Sequence, residues 1–186
     1  MRPLYALSAI LMGGYAAIFT LLAVLRDTFA LGELAIGAIA GSAFLAGFVA
    51  QLSLARFADL GRGHLLMRVG ILVSLIGAFW MCFADSLFEW VMARVVLGFG
   101  AGAVRPAIRR LAFVLEPSRS GEMMGKLTAW EMMSFLFDRS SLSPIRIRRI
   151  ALSFYALTGL LLLIMPFVIN LTIPGSESPL GNPMRT

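Results

Sequence analysis

The sequence predicts an all-α membrane protein, a polytopic bundle of about six transmembrane helices, each needing roughly 20 apolar residues to cross a bilayer. Three observations carry this. Apolar residues make up 59% of the 186-residue chain and charged residues 14%, with a mean hydropathy of +0.87. That is too little charge to cover a water-soluble surface. The apolar material also falls into long runs parted by short polar islands, and bases concentrate in alternate islands. The net charge of +6 thus reflects lipid headgroups and orientation in the membrane rather than nucleic acid.

The first span is read from about Leu4 to Leu25, with Gly13-Gly14 permitting a bend or a close neighbour. A signal peptide is disfavoured, because the run is long and no small-x-small cleavage site precedes Arg26-Asp27. The second span, about Leu34 to Leu54, carries Gly37 and Gly41 at the four-residue spacing that lets helix backbones approach. A polar island from Ala55 to His64 follows, holding Asp59, Gly61 and Arg62. The third span covers about Val69 to Ala84, and a turn over Asp85–Glu89 has acids and no base. The fourth begins near Phe88 and ends in Arg105, Arg109 and Arg110. A fifth apolar stretch starts near Met123 and fades after Phe137; the last span runs from about Ile150 to Leu171.

With the N-terminus in the cytoplasm, Arg56, Arg62, Arg68, Arg105, Arg109, Arg110, Arg119 and Lys126 all lie inside. The exception is Asp138 to Arg149, which puts four arginines outside and disrupts the fifth span. Isolated charges near the bilayer centre cost about 2.5–3.5 kcal/mol each on insertion scales. Two readings are open. One is a surface amphipathic stretch with Ile145, Ile147 and Ile150 facing lipid. The preferred one is a disturbed reading frame over residues 138–152, since codons that can encode Asp-Arg-Ser-Ser read Gly-Pro-Ile-Val once a G is restored in front. The genomic DNA decides between them.

Arg94-x-x-x-Gly98-x-Gly100-x-Gly102 is the most specific pattern in the chain. A base inside a span is costly, so it should face the bundle interior or a cavity; the glycines keep that helix thin. The stretch resembles the fourth-helix motif of the major facilitator superfamily of transporters. The island after the second span resembles that superfamily's loop between helices two and three, through Asp59 and Arg62, with Gly61 one position early and Ala55 in a glycine slot. The resemblance implies the N-terminal six-helix half of a twelve-helix facilitator: residues 1–174 as the bundle, and 175–186 as a flexible tail beginning a linker.

What the resemblance implies for function is secondary transport of a small solute by alternating access in the plasma (inner) membrane. It implies proton coupling for Arg94 and a conformational ion-pair role for Asp59 and Arg62. A second six-helix half or a second copy of the chain would complete the machine. Glu131, a carboxylate within the fifth stretch, is a candidate proton or substrate site on its own chemistry. Its alternative is a misplaced span boundary. No enzyme constellation, cofactor or metal set is read here: His64 has no second ligand at metal spacing, and Cys82 is a packing residue. The competing reading is a non-transporting membrane fragment from a frameshifted or truncated gene.

Overall fold

A computed structural model describes residues 5–13, 22, 25–26, 29–57, 63–115, 117–140, 159, 163 and 166. Among them the chain is all-helical, with no strand. Residues 5–13 form α1. Next come α2 (Glu33–Phe57), α3 (Gly63–Met81), α4 (Leu87–Leu115), a 3-10 turn (Pro117–Arg119) and α5 (Ser120–Ser140). Three stretches, Glu33–Phe57, Gly63–Met81 and Leu87–Leu111, are long and apolar enough to cross a membrane, the mark of a membrane protein. Most of the last span, the tail and half of the first span lie outside the described residues.

Many large apolar side chains face outward, while the closest helix contacts are made by small residues. On α2 the buried stripe is Ile39, Ala43, Gly47 and Ala50, while Leu45, Phe48, Val49 and Leu52 are exposed. On α3, Leu65, Val69, Leu72, Ile76 and Phe79 point outward in the same way. Water would penalise such a surface, but hydrocarbon does not. In lipid, close backbone packing replaces hydrophobic burial as the source of helix association.

Helix α4 is the axis. It packs along α2 on one side and α3 on the other, and those two scarcely touch each other. The glycines fix both registers. A Cβ on Gly98 would lie 2.7 Å from Ala43 Cα, and one on Gly102 would lie 2.7 Å from Gly47 Cα. With Arg94 opposite Ile39, numbers on both helices rise together, so α2 and α4 are parallel. A Cβ on Gly100 would crowd Ser74, one on Gly77 would crowd Leu97 and Ala93, and one on Gly70 would crowd Val104. There the numbers run oppositely, so α3 is antiparallel to α4. This is the arrangement successive membrane crossings give. Two residues along a helix turn through about 200°, which is why Gly98 and Gly102 serve α2 while Gly100 serves α3. Gly37 and Gly41 meet nothing within 4 Å among the described residues and are exposed. They lie on the face of α2 turned away from the Ile39–Ala50 stripe, not at the α4 contact.

The helix ends carry local chemistry. Ser86 Oγ accepts from Glu89 N (3.3 Å), and Glu89 Oε2 accepts from Ser86 N (3.2 Å) and Asp85 N (2.8 Å). The turn read as merely acidic is thus a capping box that starts α4. Before α2, Leu31 N donates to Arg26 O at 3.2 Å around Ala30, whose φ is 49°. That is the left-handed closing turn usually given to glycine. Ala30→Gly is therefore expected to raise the unfolding free energy by about 1 kcal/mol, seen as a higher melting temperature in detergent. Arg26 pairs with Glu33 at 3.5 Å; Asp27, its expected partner, lies outside the described residues.

One boundary differs from expectation. Helix α4 does not stop at the basic cluster but continues through Pro106 to Leu115, so Arg105, Arg109 and Arg110 are helical. The backbone of α5 runs past the end of its apolar stretch, through Asp138 and Arg139 to Ser140. Residues 141–152 of the segment read as frame-disturbed lie outside the described residues.

Candidate functional site

Arg94 sits two turns into α4, about 10 Å from its start at 1.5 Å per residue. It is completely buried, and its Nε donates to Ile39 O at 3.3 Å. Ile39 O also accepts from Ser42 Oγ at 3.2 Å, so two donors share this carbonyl. The neighbouring glycine contacts bring α2 close enough for the guanidinium to reach that backbone. The side chain therefore faces the helix bundle rather than lipid.

Glu131 lies elsewhere. On α5 the residues Met123, Leu127 and Glu131 recur at four-residue spacing and are all buried. Glu131 is 8% exposed and Ser8 of α1 is 5% exposed, and Ser8 Oγ donates to Glu131 Oε1. Tyr5 OH contacts Met123 Sδ at 2.9 Å, and Arg105 Nη2 contacts Met12 Sδ at 2.9 Å. These contacts tie α1 to α5 and α4 around a cavity of about 270 Å³. Its walls are Ser8, then Arg105, Ile108 and Arg109 of α4, then Met124, Leu127, Thr128 and Glu131 of α5. Arg94 does not line it.

The outer rim of α5 is electrostatically settled. Lys126 Nζ donates to Glu122 Oε1 at 2.6 Å, and Arg119 Nε stands 3.8 Å from Glu122 Oε2. The Lys126 hydrogen bond and the charges of Lys126 and Arg119 hold the Glu122 carboxyl below its usual range. Lys126 is thereby turned to its own helix surface, outside the cavity lining.

The structure keeps the two sequence candidates apart: Arg94 at the α2–α4 seam, Glu131 in the α1/α4/α5 cavity. Asp59, Gly61 and Arg62 lie outside the described residues. Among the described residues no group of three His, Cys, Asp or Glu side chains could hold a metal ion. Sequence reading missed Ser8 and Thr128, and it placed Arg105 and Arg109 in a loop. Their four-residue spacing was the available signal, because it puts both guanidinium groups on one helical face. Nothing local marks Ser8, which meets Glu131 across 123 positions. No protein-family model matches the chain, and no curated protein matches its sequence.

Proposed function

We propose that this chain carries out secondary active transport of a small solute by alternating access, with protons as the coupling ion. The observation that carries the reading is the polar cavity among α1, α4 and α5 of a membrane bundle, with Glu131 buried in its wall. A carboxylate kept out of water inside an apolar bundle is expensive unless it has a use, and proton exchange is the use its chemistry offers. Arg94 would hold the α2–α4 seam and respond to charge changes nearby. The bundle would comprise six spans of the major facilitator kind in the plasma (inner) membrane, N-terminus in the cytoplasm, paired with a second six-helix half or a second copy.

Reconstitution tests this. Purified chain in proteoliposomes with an imposed pH gradient is offered labelled sugars, amino acids and organic acids. Saturable uptake that collapses with a protonophore and is lost in Glu131→Gln is the expected result; no uptake of any solute removes the reading.

One observation favours a second reading, a non-transporting integral membrane product. Helix α5 is not among the helices long and apolar enough to span, and it carries Asp138 and Arg139 in its last turn. A monodisperse, folded chain with no flux would support it.

A further inference from the structure

We infer that the α1/α4/α5 cavity binds a small oxyanion, a carboxylate or phosphate on a compact body, together with a proton on Glu131. The inference names a substrate class for the transport reading and rests on it for its purpose, though not for its test. Four features of the cavity point the same way.

The first is charge. Arg105 and Arg109 line one wall from successive turns of α4, and each guanidinium is a planar fork matched to a carboxylate or phosphate. Two such groups repel a cationic solute and leave a neutral sugar with more charge than it can use. The second is a hydroxyl. Thr128 adds one on α5, while Ser8 Oγ commits its one hydrogen to Glu131, so an anion would be approached from α4 and α5.

The third is size. At about 270 Å³ the cavity falls just below the range of about 300–1,000 Å³ typical of drug-sized ligands. A metabolite of a few carbons fits; an amphipathic drug does not. The fourth is Glu131 itself. An ionised carboxylate beside a bound anion repels it, and the low-dielectric wall made by Ile108, Met124 and Leu127 strengthens that repulsion. A protonated Glu131 removes the repulsion. Proton and anion therefore bind each other's preferred state, and by linkage each raises the affinity of the other.

Few charged groups face Glu131. From α1 it meets Ser8, and Tyr5 lies one turn away against Met123. From α4 come Arg105 and Arg109, which keep their charge throughout. On its own helix Glu122 and Lys126 are engaged with each other. An ionised Glu131 should weaken anion binding and a neutral one should favour it.

The test is equilibrium dialysis of the purified full chain in neutral detergent, with labelled lactate and labelled inorganic phosphate as probes. The expected result is saturable lactate binding, tighter in Glu131→Gln, which lacks the repelling charge, than in the parent. Arg109→Gln and Arg105→Gln should each weaken it about tenfold or more, as loss of a charge-assisted pair does. Arg105 also contacts Met12, so Arg109→Gln, at an exposed position, is the variant that tests the site without disturbing the fold. Short-chain phosphatidylglycerol separates a lipid headgroup from a free solute. If it binds and neither free anion does, the solute assignment falls.

Absence of anion binding in folded, monodisperse protein overturns the inference, as does unchanged binding in Arg109→Gln. The two readings fail separately. Anion binding without flux removes the transporter and keeps the site; flux of a neutral solute without anion binding does the reverse.

Discussion

Gly98→Leu prevents α2 and α4 from assembling, and Gly98→Ala lowers stability by about 3 kcal/mol, the upper end for overpacking. The cause is backbone against backbone. A methyl at Gly98 would lie 2.7 Å from Ala43 Cα and 2.8 Å from its carbonyl carbon, and neither atom can rotate aside as a side chain would. Relief requires the two helices to part, which loosens the Gly102–Gly47 contact one turn further along the same stripe. Thermal melts in detergent, followed by gel filtration after heating, give the ranking. Gly41→Ala supplies the contrast, since nothing stands within 4 Å of its Cβ among the described residues and alanine is the better helix former by about 1 kcal/mol. Equal losses at Gly98 and Gly41 would show that the contact is not what sets stability.

Arg94 gives the second large effect, and here stability and activity part company. Arg94→Ala leaves a void where a completely buried side chain stood, expected to cost about 2–5 kcal/mol, as for other large core truncations. Arg94→Met keeps most of that volume and removes a charge whose placement in the membrane costs about 2.5–3.5 kcal/mol on insertion scales. It should melt no lower than the parent, and higher if the charge is costly to keep. Uptake in proteoliposomes should nevertheless fall to background in Arg94→Met if Arg94 responds to charge during transport. A methionine variant as unstable as the alanine one would mean that the guanidinium's contact with Ile39 O is structural.

The inward-facing Arg94 could be read from the chain because the cost of a membrane-buried base leaves few alternatives, and the small residues behind it announced a close partner. The identity of that partner could not be read. Glycines recur in several helices, and only geometry shows that Gly47, not Gly37 or Gly41, sits across from α4. The glycines two apart were taken to thin one face. Helical rotation divides them between two neighbours, which periodicity alone allowed but did not require. The cavity was harder still. Arg105 and Arg109 were placed beyond the fourth span because a cluster of bases marks a cytoplasmic loop, yet α4 carries them as helix through Pro106. The Ser8–Glu131 contact joins opposite ends of the chain, where no local pattern reaches.

The matched registers along α4 have a mechanical consequence. Because Gly98 seats on Ala43 and Gly102 on Gly47, sliding one helix past the other by less than a full turn, about 5.4 Å, would drive side chains into a notch sized for hydrogen atoms. The seam thus behaves as a ratchet with its pawl engaged, and α2, α3 and α4 should travel as one solid piece. Whatever this protein does by moving, the compliance belongs to α1 and α5, where thioethers and a serine hydroxyl bridge the gap and can let go.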